Sequence, residues 1–421
     1  RRVQRGRVTS VGRHKATCDP FRGPLELPFR TTPCTECPRA RETVHVSVDP
    51  PSIVIPADLL PQDGRFGCGP SKVRAEQVLA LAQANQNLLG TSHRQAPVKQ
   101  LVGSVRDGLK QLFNLRKDWE IVLGNGGSTM FWDVATFGLI RQCSQHYVFG
   151  EFSQKFADAA AAAPHLQSPV IVASEPGTHP AIQEAVPDGV DVVALTHNET
   201  STGVMMHLTR PDSDALVVVD ATSGAGGLPW LQDEVDVYYF APQKCFAGDG
   251  GLWLAACSPA AVERIREIGH SSRWQPASLN LMTALDNSVA NQTYNTPALG
   301  TLVLLDEQIK WMLSNGGLDW CITRSRTSAS RLYGWAEKSD YATPFVTDPM
   351  QRSTVVGTVD LDASVSAHDV CAALRANHIV DTDSYRKLGR NQLRIGMFPA
   401  IDPDDISALT ACIDHVVSAL A

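Results

Sequence analysis

The chain has 421 residues and a formal net charge of −7, which argues against the cationic surface that nucleic-acid binding requires. Apolar residues make up 43% and charged residues 19%, the balance of a folded globular protein, and no apolar run approaches the roughly 18 residues that cross a bilayer. Ten cysteines are scattered; Cys34-Thr-Glu-Cys37 lacks a second Cys/His pair nearby, so no metal site is expected, and the remainder read as core or free thiols of a reducing cytoplasm.

Residues 1–44 hold ten Lys/Arg against four Asp/Glu and have no sustained period, which sets them apart from the acidic remainder. A basic leader is one reading. No methionine precedes Met130, which favours a non-native upstream stretch with the start at Val44, Val46 or Val48. Residues 1–47 are therefore expected to be a disordered or non-native extension. From Ile53 the chain is regular. A Pro/Gly-rich lead-in over 56–69 is followed by predicted helices at 71–89 and 97–113. Short apolar runs at 121–123, 147–149, 170–173, 192–195, 216–219, 237–240 and 252–256 alternate with helical segments. This alternation predicts an α/β fold, a mostly parallel sheet covered by helices on both faces. A long helix at 301–313 leads out of this layer. Beyond about 320, strands at 353–358 and 393–396 with helices at 368–376 and 405–419 predict a smaller α+β domain. The expected division is thus 48–320 for the large domain and 321–421 for the small one.

Three of these strands end in chemistry. The strand at 121–123 runs into Gly124-Asn-Gly-Gly-Ser128-Thr129 and then an apolar helical segment. A strand, a glycine-rich turn and a helix start make an anion site, because the free N–H groups of the first turn and the helix dipole face the ligand. The run 215–219 stops at Asp220, and 235–240 continues through Ala241-Pro-Gln243 into Lys244. Neighbouring parallel strands place such a carboxylate and amine at one edge of the sheet, where open α/β sheets bind ligands. Taken alone, the two charges also fit ordinary loop edges. With the phosphate cradle they match the needs of pyridoxal phosphate: a lysine for the Schiff base and an aspartate for the ring nitrogen.

The order of motifs carries a resemblance. Gly67-Cys-Gly-Pro-Ser71, Thr91-Ser-His-Arg94, Gly126-Gly-Ser128, Asn198-Glu-Thr-Ser-Thr-Gly203, Asp220-Ala-Thr-Ser223, Ala241-Pro-Gln-Lys244, Tyr294-Asn-Thr-Pro297 and Leu393-Arg394 occur in sequence. This run resembles the phosphoserine aminotransferases, fold-type I pyridoxal-phosphate enzymes of the class V aminotransferase group, from about Phe66 to the C-terminus. The resemblance implies a homodimer with shared active sites, transamination of 3-phosphohydroxypyruvate by L-glutamate, and a cytoplasmic place in serine and pyridoxine biosynthesis. It implies roles for Lys244 as the Schiff-base lysine, Asp220 as the ring-nitrogen partner and Thr200 as the ring-oxygen contact. Gly127, Ser128 and Gln243 match phosphate and ring contacts. Asn295 and Thr296 match a pair that reaches the other subunit's cofactor phosphate, and His93 and Arg94 a pair that binds the distal anion of the substrate there. Arg394 matches the clamp on the substrate α-carboxylate, which suits a planar guanidinium.

Two departures stand out. Phe152 occupies the place where the family stacks a tryptophan on the cofactor ring, which keeps a π face and loses an N–H. The distal arginine is expected at Arg386, in Tyr385-Arg386-Lys387, with Lys387 and Arg390 as substitutes. Asn295-Thr296-Pro297 also fits a helix N-cap with proline at the first turn. Two rival activities on the same fold are a serine–glyoxylate type aminotransferase, which needs no distal anion cluster, and a cysteine desulfurase-like lyase. The lyase needs a cysteine on a mobile loop, whereas Cys321 and Cys371 lie in apolar periodic segments.

Overall fold

The computed structural model describes residues 49–421; the extension expected over 1–47, with Cys34 and Cys37, and the expected domain start at residue 48 lie outside the described residues. Helices α1 (Ala75–Ala84) and α2 (Ala96–Leu112) come first. Along α2, Val98, Val102, Val105, Leu109 and Leu112 recur at helical spacing and are buried together. The helix expected over 71–89 is shorter than its pattern. Ser71 is drawn elsewhere: its hydroxyl donates to the Lys244 carbonyl at 2.6 Å and its N–H to the Gln243 carbonyl at 3.0 Å.

The central layer then alternates: β1 (Glu120–Gly126), α3 (Ser128–Gly138), β2 (Cys143–Val148), α4 (Glu151–Ala162), β3 (Val170–Ala173) and β4 (Val190–Thr196). A small hairpin, β5 (Asn198–Glu199) with β6 (Val204–Met205), precedes β7 (Leu216–Asp220), β8 (Val237–Phe240) and β9 (Gly251–Cys257). The sheet order is β1-β9-β8-β7-β4-β2-β3. From β8 to β3 the strands are parallel, and β9 is antiparallel to both neighbours. Both β7 and β8 are buried throughout. Alternate residues feed different cores: Val217, Val219, Tyr238 and Phe240 pack on one face, and Leu216, Val218, Val237 and Tyr239 on the other.

This topology sets the site. Asp220 ends β7 and stands opposite Tyr239 of β8 in the parallel register. The chain then leaves Phe240, makes a loop that contains Lys244, and returns at Gly251 as β9. Antiparallel neighbours need only a short connection, so the lysine stays at the edge where Asp220 emerges.

Helices α5 (Pro259–His270), α6 (Leu281–Val289) and α7 (Leu299–Ser314) follow, and α8 (Gly317–Ala336) runs from the first core at Cys321 to a second core at Ala329 and Leu332. The sequence pattern did not single out α8. Strands β10 (Ala342–Pro344), β11 (Val356–Leu361) and β12 (Gln392–Gly396) form an antiparallel sheet, packed with α9 (Ala367–Ala376) and α10 (Pro403–Leu420). Ile53, Ile55 and Phe66 of the lead-in join this second core. The strand expected at 353–358 begins at Val356, because Ser353 Oγ accepts from the N–H groups of Val355 and Val356 and bends the chain there.

Candidate active site

Lys244 is only 9% exposed, and its Nζ donates to the Cys68 carbonyl at 2.6 Å. Burial disfavours the ammonium form and draws its pKa down to about 8; the positive charge of Arg394 acts the same way, while Asp220 opposes it. The segment 67–71 closes over this amine. Gly69, at φ +133°, is required there, since a Cβ would lie 1.9 Å from the Lys244 Nζ.

Asp220 is 3% exposed, and four donors fix it. Trp132 Nε1 and the Tyr239 hydroxyl each donate to Oδ2 at 3.1 Å, and the Thr222 N–H donates to Oδ1 at 2.9 Å beside the Thr222 hydroxyl. Burial raises the carboxyl's pKa, and the donors from Thr222, Trp132 and Tyr239 oppose that rise. A cationic group facing it would complete the charge balance. The Thr222 hydroxyl also lies 2.7 Å from Ser128 Oγ, which ties the carboxylate to the first turn of α3. That helix starts behind Gly127 with no side-chain cap. The N–H groups of Ser128 and Thr129 and the Thr129 hydroxyl have no partner among the described residues and face the place where an anion can sit.

A cavity of about 780 Å³ joins these parts and is lined by Gly127, Ser128, Phe152, Thr200, Asp220, Gln243 and Lys244. The Thr200 hydroxyl donates to Ser223 Oγ at 2.8 Å, and Asn198 Nδ2 reaches the same oxygen at 2.8 Å. Asn198 Oδ1 and Gln243 Oε1 are buried without a hydrogen-bond partner among the described residues, although both side chains line the cavity. Buried polar atoms of this kind call for a ligand or water. A ring with polar substituents and a phosphate fits this donor and acceptor set: the anion at α3, the ring nitrogen at Asp220, the aldehyde at Lys244. The residues present therefore fit pyridoxal phosphate.

Other expected site residues lie outside this cavity. Arg394, on β12, touches its edge: Nη1 donates to the Thr200 carbonyl at 3.2 Å, Nε is buried without a partner among the described residues, and the guanidinium stands 5.2 Å from the Tyr385 ring. Tyr385 lies 6.0 Å from the Phe152 ring, so one aromatic bridges Phe152 and Arg394. Lys387 pairs with Glu151 and Arg390 with Asp360, whereas exposed Arg386 has no carboxylate partner among the described residues. His93 meets Thr296 Oγ1 at 3.2 Å, and Asn125 Nδ2 holds Asn295 Oδ1 and the Thr296 carbonyl at 2.9 and 2.8 Å. Arg94, Asn295 and Thr296 are exposed. None of these four lines the cavity of its own chain. The expected cap is corrected: α7 begins at Leu299 behind Ala298, and Asn125 and His93 have engaged the Asn295-Thr296 pair instead.

Sequence reasoning missed Trp132, Tyr239, Thr222, Ser223 and Tyr385. Four of these had a signal: Thr222 and Ser223 stand in the Asp220-Ala-Thr-Ser223 motif. Trp132 follows Ser128 by four residues and shares its helix face, and Tyr239 is the parallel-register neighbour of Asp220. The lyase alternative finds no cysteine suited to it among the described residues. All seven are buried; burial pushes the Cys321 thiol up to about 12 and the Cys371 thiol up to about 11. Among the same residues no helix is long and apolar enough to cross a membrane.

The family model described as aminotransferase class-V matches residues 70–382. A Mycolicibacterium vanbaalenii relative, provisionally named a phosphoserine aminotransferase, is 61% identical over 371 residues, covering 88% of this chain and 99% of its own. A phosphoserine aminotransferase of Rhodococcus jostii is 59% identical over 370 residues, covering 87% and 98%. A crystal structure of a phosphoserine aminotransferase from Cytophaga hutchinsonii has the same fold, with a TM-score of 0.77 at 22% identity over 84% of this chain and 99% of that one.

Proposed function

The chain belongs to the class-V aminotransferase family, and from that premise we propose that it moves the amino group of L-glutamate to 3-phosphohydroxypyruvate, giving 2-oxoglutarate and O-phospho-L-serine. Its cofactor is pyridoxal 5′-phosphate. When bound, that group supplies an aldehyde for the substrate amine and a ring that takes up the electron pair released at the substrate α-carbon.

The residues divide the remaining work. Lys244 Nζ would be the point of attachment, and as a free amine it would take and hold the proton released from the substrate α-carbon. Its lowered pKa leaves a substantial neutral fraction near pH 8, which both tasks need. Asp220 holds a proton at the ring nitrogen, with Trp132, Thr222 and Tyr239 fixing its two oxygens. Gly127, Ser128 and the start of α3 take the phosphate, and Thr200 and Gln243 face the ring substituents. Phe152 would cover the ring, with Tyr385 packed 6.0 Å behind it. Arg394 grips the α-carboxylate by a bidentate contact, which would satisfy its buried Nε.

The distal anion is a carboxylate in one half-reaction and a phosphate in the other, so the group that holds it must read charge and not one fixed shape. Arg386 meets that need on this chain, joined by His93 and Arg94 from a second copy in a homodimer; Asn295 and Thr296 reach the second copy's phosphate site. That these four lie outside their own chain's cavity supports the arrangement. Mixing Arg94→Ala with Lys244→Ala chains then restores part of the activity, and no recovery despite subunit exchange would rule the arrangement out. We place the reaction in the cytoplasm, in serine biosynthesis, with the analogous step of pyridoxine biosynthesis that makes 4-phosphohydroxythreonine from its keto acid.

The observation that carries this reading is the pairing of a buried amine and a buried carboxylate across one cavity that ends on an uncapped helix start. The test compares amino transfer from glutamate to 3-phosphohydroxypyruvate and to glyoxylate. The phosphorylated keto acid should be preferred at least a hundredfold in kcat/KM. A preference for glyoxylate would select the serine–glyoxylate alternative.

A further inference from the structure

Among the described residues, Glu199 is the one wholly buried carboxylate near the cavity to which the proposed chemistry gives no task. It is 0% exposed, and among the described residues no Lys, Arg or His pairs with it. Nearby Glu151 takes both Lys155 and Lys387 instead. An unpaired buried carboxylate is costly unless hydrogen bonds replace its water. Here they do. Oε2 accepts from the Phe152 N–H at 3.1 Å, the Ser153 N–H at 2.9 Å and the Ser153 hydroxyl at 2.9 Å. Oε1 accepts from the Ser201 N–H at 3.2 Å and the Ser201 hydroxyl at 2.6 Å.

These donors belong to two separate pieces of the cavity wall. Phe152 and Ser153 form the first turn of α4, and Ser201 lies in the loop after β5. The same serines complete the junction. Ser201 Oγ accepts from the Glu151 N–H at 3.1 Å, and Ser153 Oγ accepts from the N–H groups of Phe149 and Gly150 at 3.0 and 3.1 Å. Every N–H from Phe149 to Ser153 thus ends on Glu199, Ser201 or Ser153, so the start of α4 is capped from across the fold. Gly150 records the close approach, because a Cβ there would stand 2.3 Å from the Glu199 Cγ. Along residues 198–201 the side chains alternate. Asn198 and Thr200 line the cavity and meet Ser223, whereas Glu199 and Ser201 turn to α4.

We propose that Glu199 is a positioning residue that fastens the Phe152 turn to the loop after β5, which Ser223 already holds, so that the aromatic cover of the cofactor is kept in place. This rests on the cofactor reading given above. Glu199 touches neither cofactor nor substrate and acts through Phe152. Loss of its acceptors leaves backbone N–H groups of α4 unsatisfied and frees the turn that carries the ring.

The test is a double-mutant cycle on the full chain, read as the affinity for pyridoxamine 5′-phosphate from intrinsic tryptophan fluorescence, with visible circular dichroism of the loaded enzyme as a second signal. Glu199→Ala should weaken binding at least tenfold and reduce the cofactor's dichroism. Glu199→Gln, which keeps one acceptor, should fall between Glu199→Ala and wild type. In a Phe152→Ala background, Glu199→Ala should change affinity less than threefold, because the group it positions is gone. Should Glu199→Ala fail to fold, Glu199→Gln and Ser201→Ala complete the same cycle. Affinities within twofold of wild type, or effects that add fully in the Phe152→Ala background, would overturn the proposal. A wild-type chain that binds neither pyridoxamine phosphate nor pyridoxal phosphate would instead overturn the cofactor reading beneath it.

Discussion

Gly69 leaves the room that Lys244 fills: a Cβ at position 69 would stand 1.9 Å from the lysine Nζ and 2.7 Å from its Cδ and would displace the side chain, at a backbone φ of +133° that side chains resist. The segment 67–71 is therefore a wall shaped to the amine, and its Cys68 carbonyl accepts a hydrogen bond from the amine. Gly69→Ala should fold, since the second core and the sheet do not depend on this atom, yet lose at least a hundredfold in kcat. Its cofactor content, measured by absorbance after gel filtration, should drop with it. Near-normal content and turnover would show that Lys244 has room this geometry denies.

The buried amine makes a pH prediction for the cofactor-free protein. In the unfolded chain Lys244 keeps its proton up to the ordinary 10.5, whereas in the folded chain it keeps it only to about 8. Between these values the unfolded state binds more protons, so this residue's contribution to stability rises with pH across that window and is at its most unfavourable below about 8. Denaturant unfolding of the apoprotein and of Lys244→Met, compared from pH 7 to 10.5, should show wild type gaining on the variant. A constant difference would mean that burial does not shift the lysine.

Asp220→Asn should retain some cofactor and lose several orders of magnitude in turnover, because a ring without its nitrogen proton is a poor electron sink. Tyr239→Phe removes one of four donors to that carboxylate, a contact of about 1.5–3 kcal/mol to a charged group. It should therefore cost about tenfold or more, and less than Asp220→Asn. A loss below tenfold for Asp220→Asn, or about 1.4 kcal/mol in barrier, would remove Asp220 from this role.

The three basic side chains after Tyr385 differ in what already holds them. Lys387 and Arg390 are paired with Glu151 and Asp360, while Arg386 has no such partner among the described residues. Arg386→Ala should raise KM for both glutamate and the phosphorylated keto acid by roughly ten- to a hundredfold, the worth of one charge-assisted contact. Lys387→Ala and Arg390→Ala should change it less than threefold, since exposed ion pairs contribute little. The reverse order would place the distal anion on Lys387 or Arg390.

The sheet and its chemical edge were legible in the sequence for a physical reason. Parallel strands buried on both faces read as unbroken apolar runs, so the points where the runs stop, at Asp220 and before Lys244, mark the ligand edge. What escaped depended on distant partners. Ser71 begins no helix because the Lys244 carbonyl, 173 positions away, takes its hydroxyl. Asn295 and Thr296 have the residue types of a cap, yet α7 begins behind Ala298 with no side-chain cap, and Asn125 engages the pair instead. Spacing did not separate Arg386 from Lys387, because the acid that engages Lys387 lies 236 positions earlier. The donors to Asp220 were hidden for the opposite reason: Trp132 and Tyr239 look like core aromatics, and they are buried ones, but each also turns a polar atom to the carboxylate.

Borohydride reduction of the holoenzyme followed by peptide mapping identifies the amine that holds the cofactor. The visible absorption band should be lost and a single phosphopyridoxyl mass should appear on the peptide bearing Lys244, with no such label in Lys244→Ala. A label on another lysine, or a Lys244→Ala chain that keeps the visible band and forms O-phosphoserine at the wild-type rate, would contradict the assignment of Lys244.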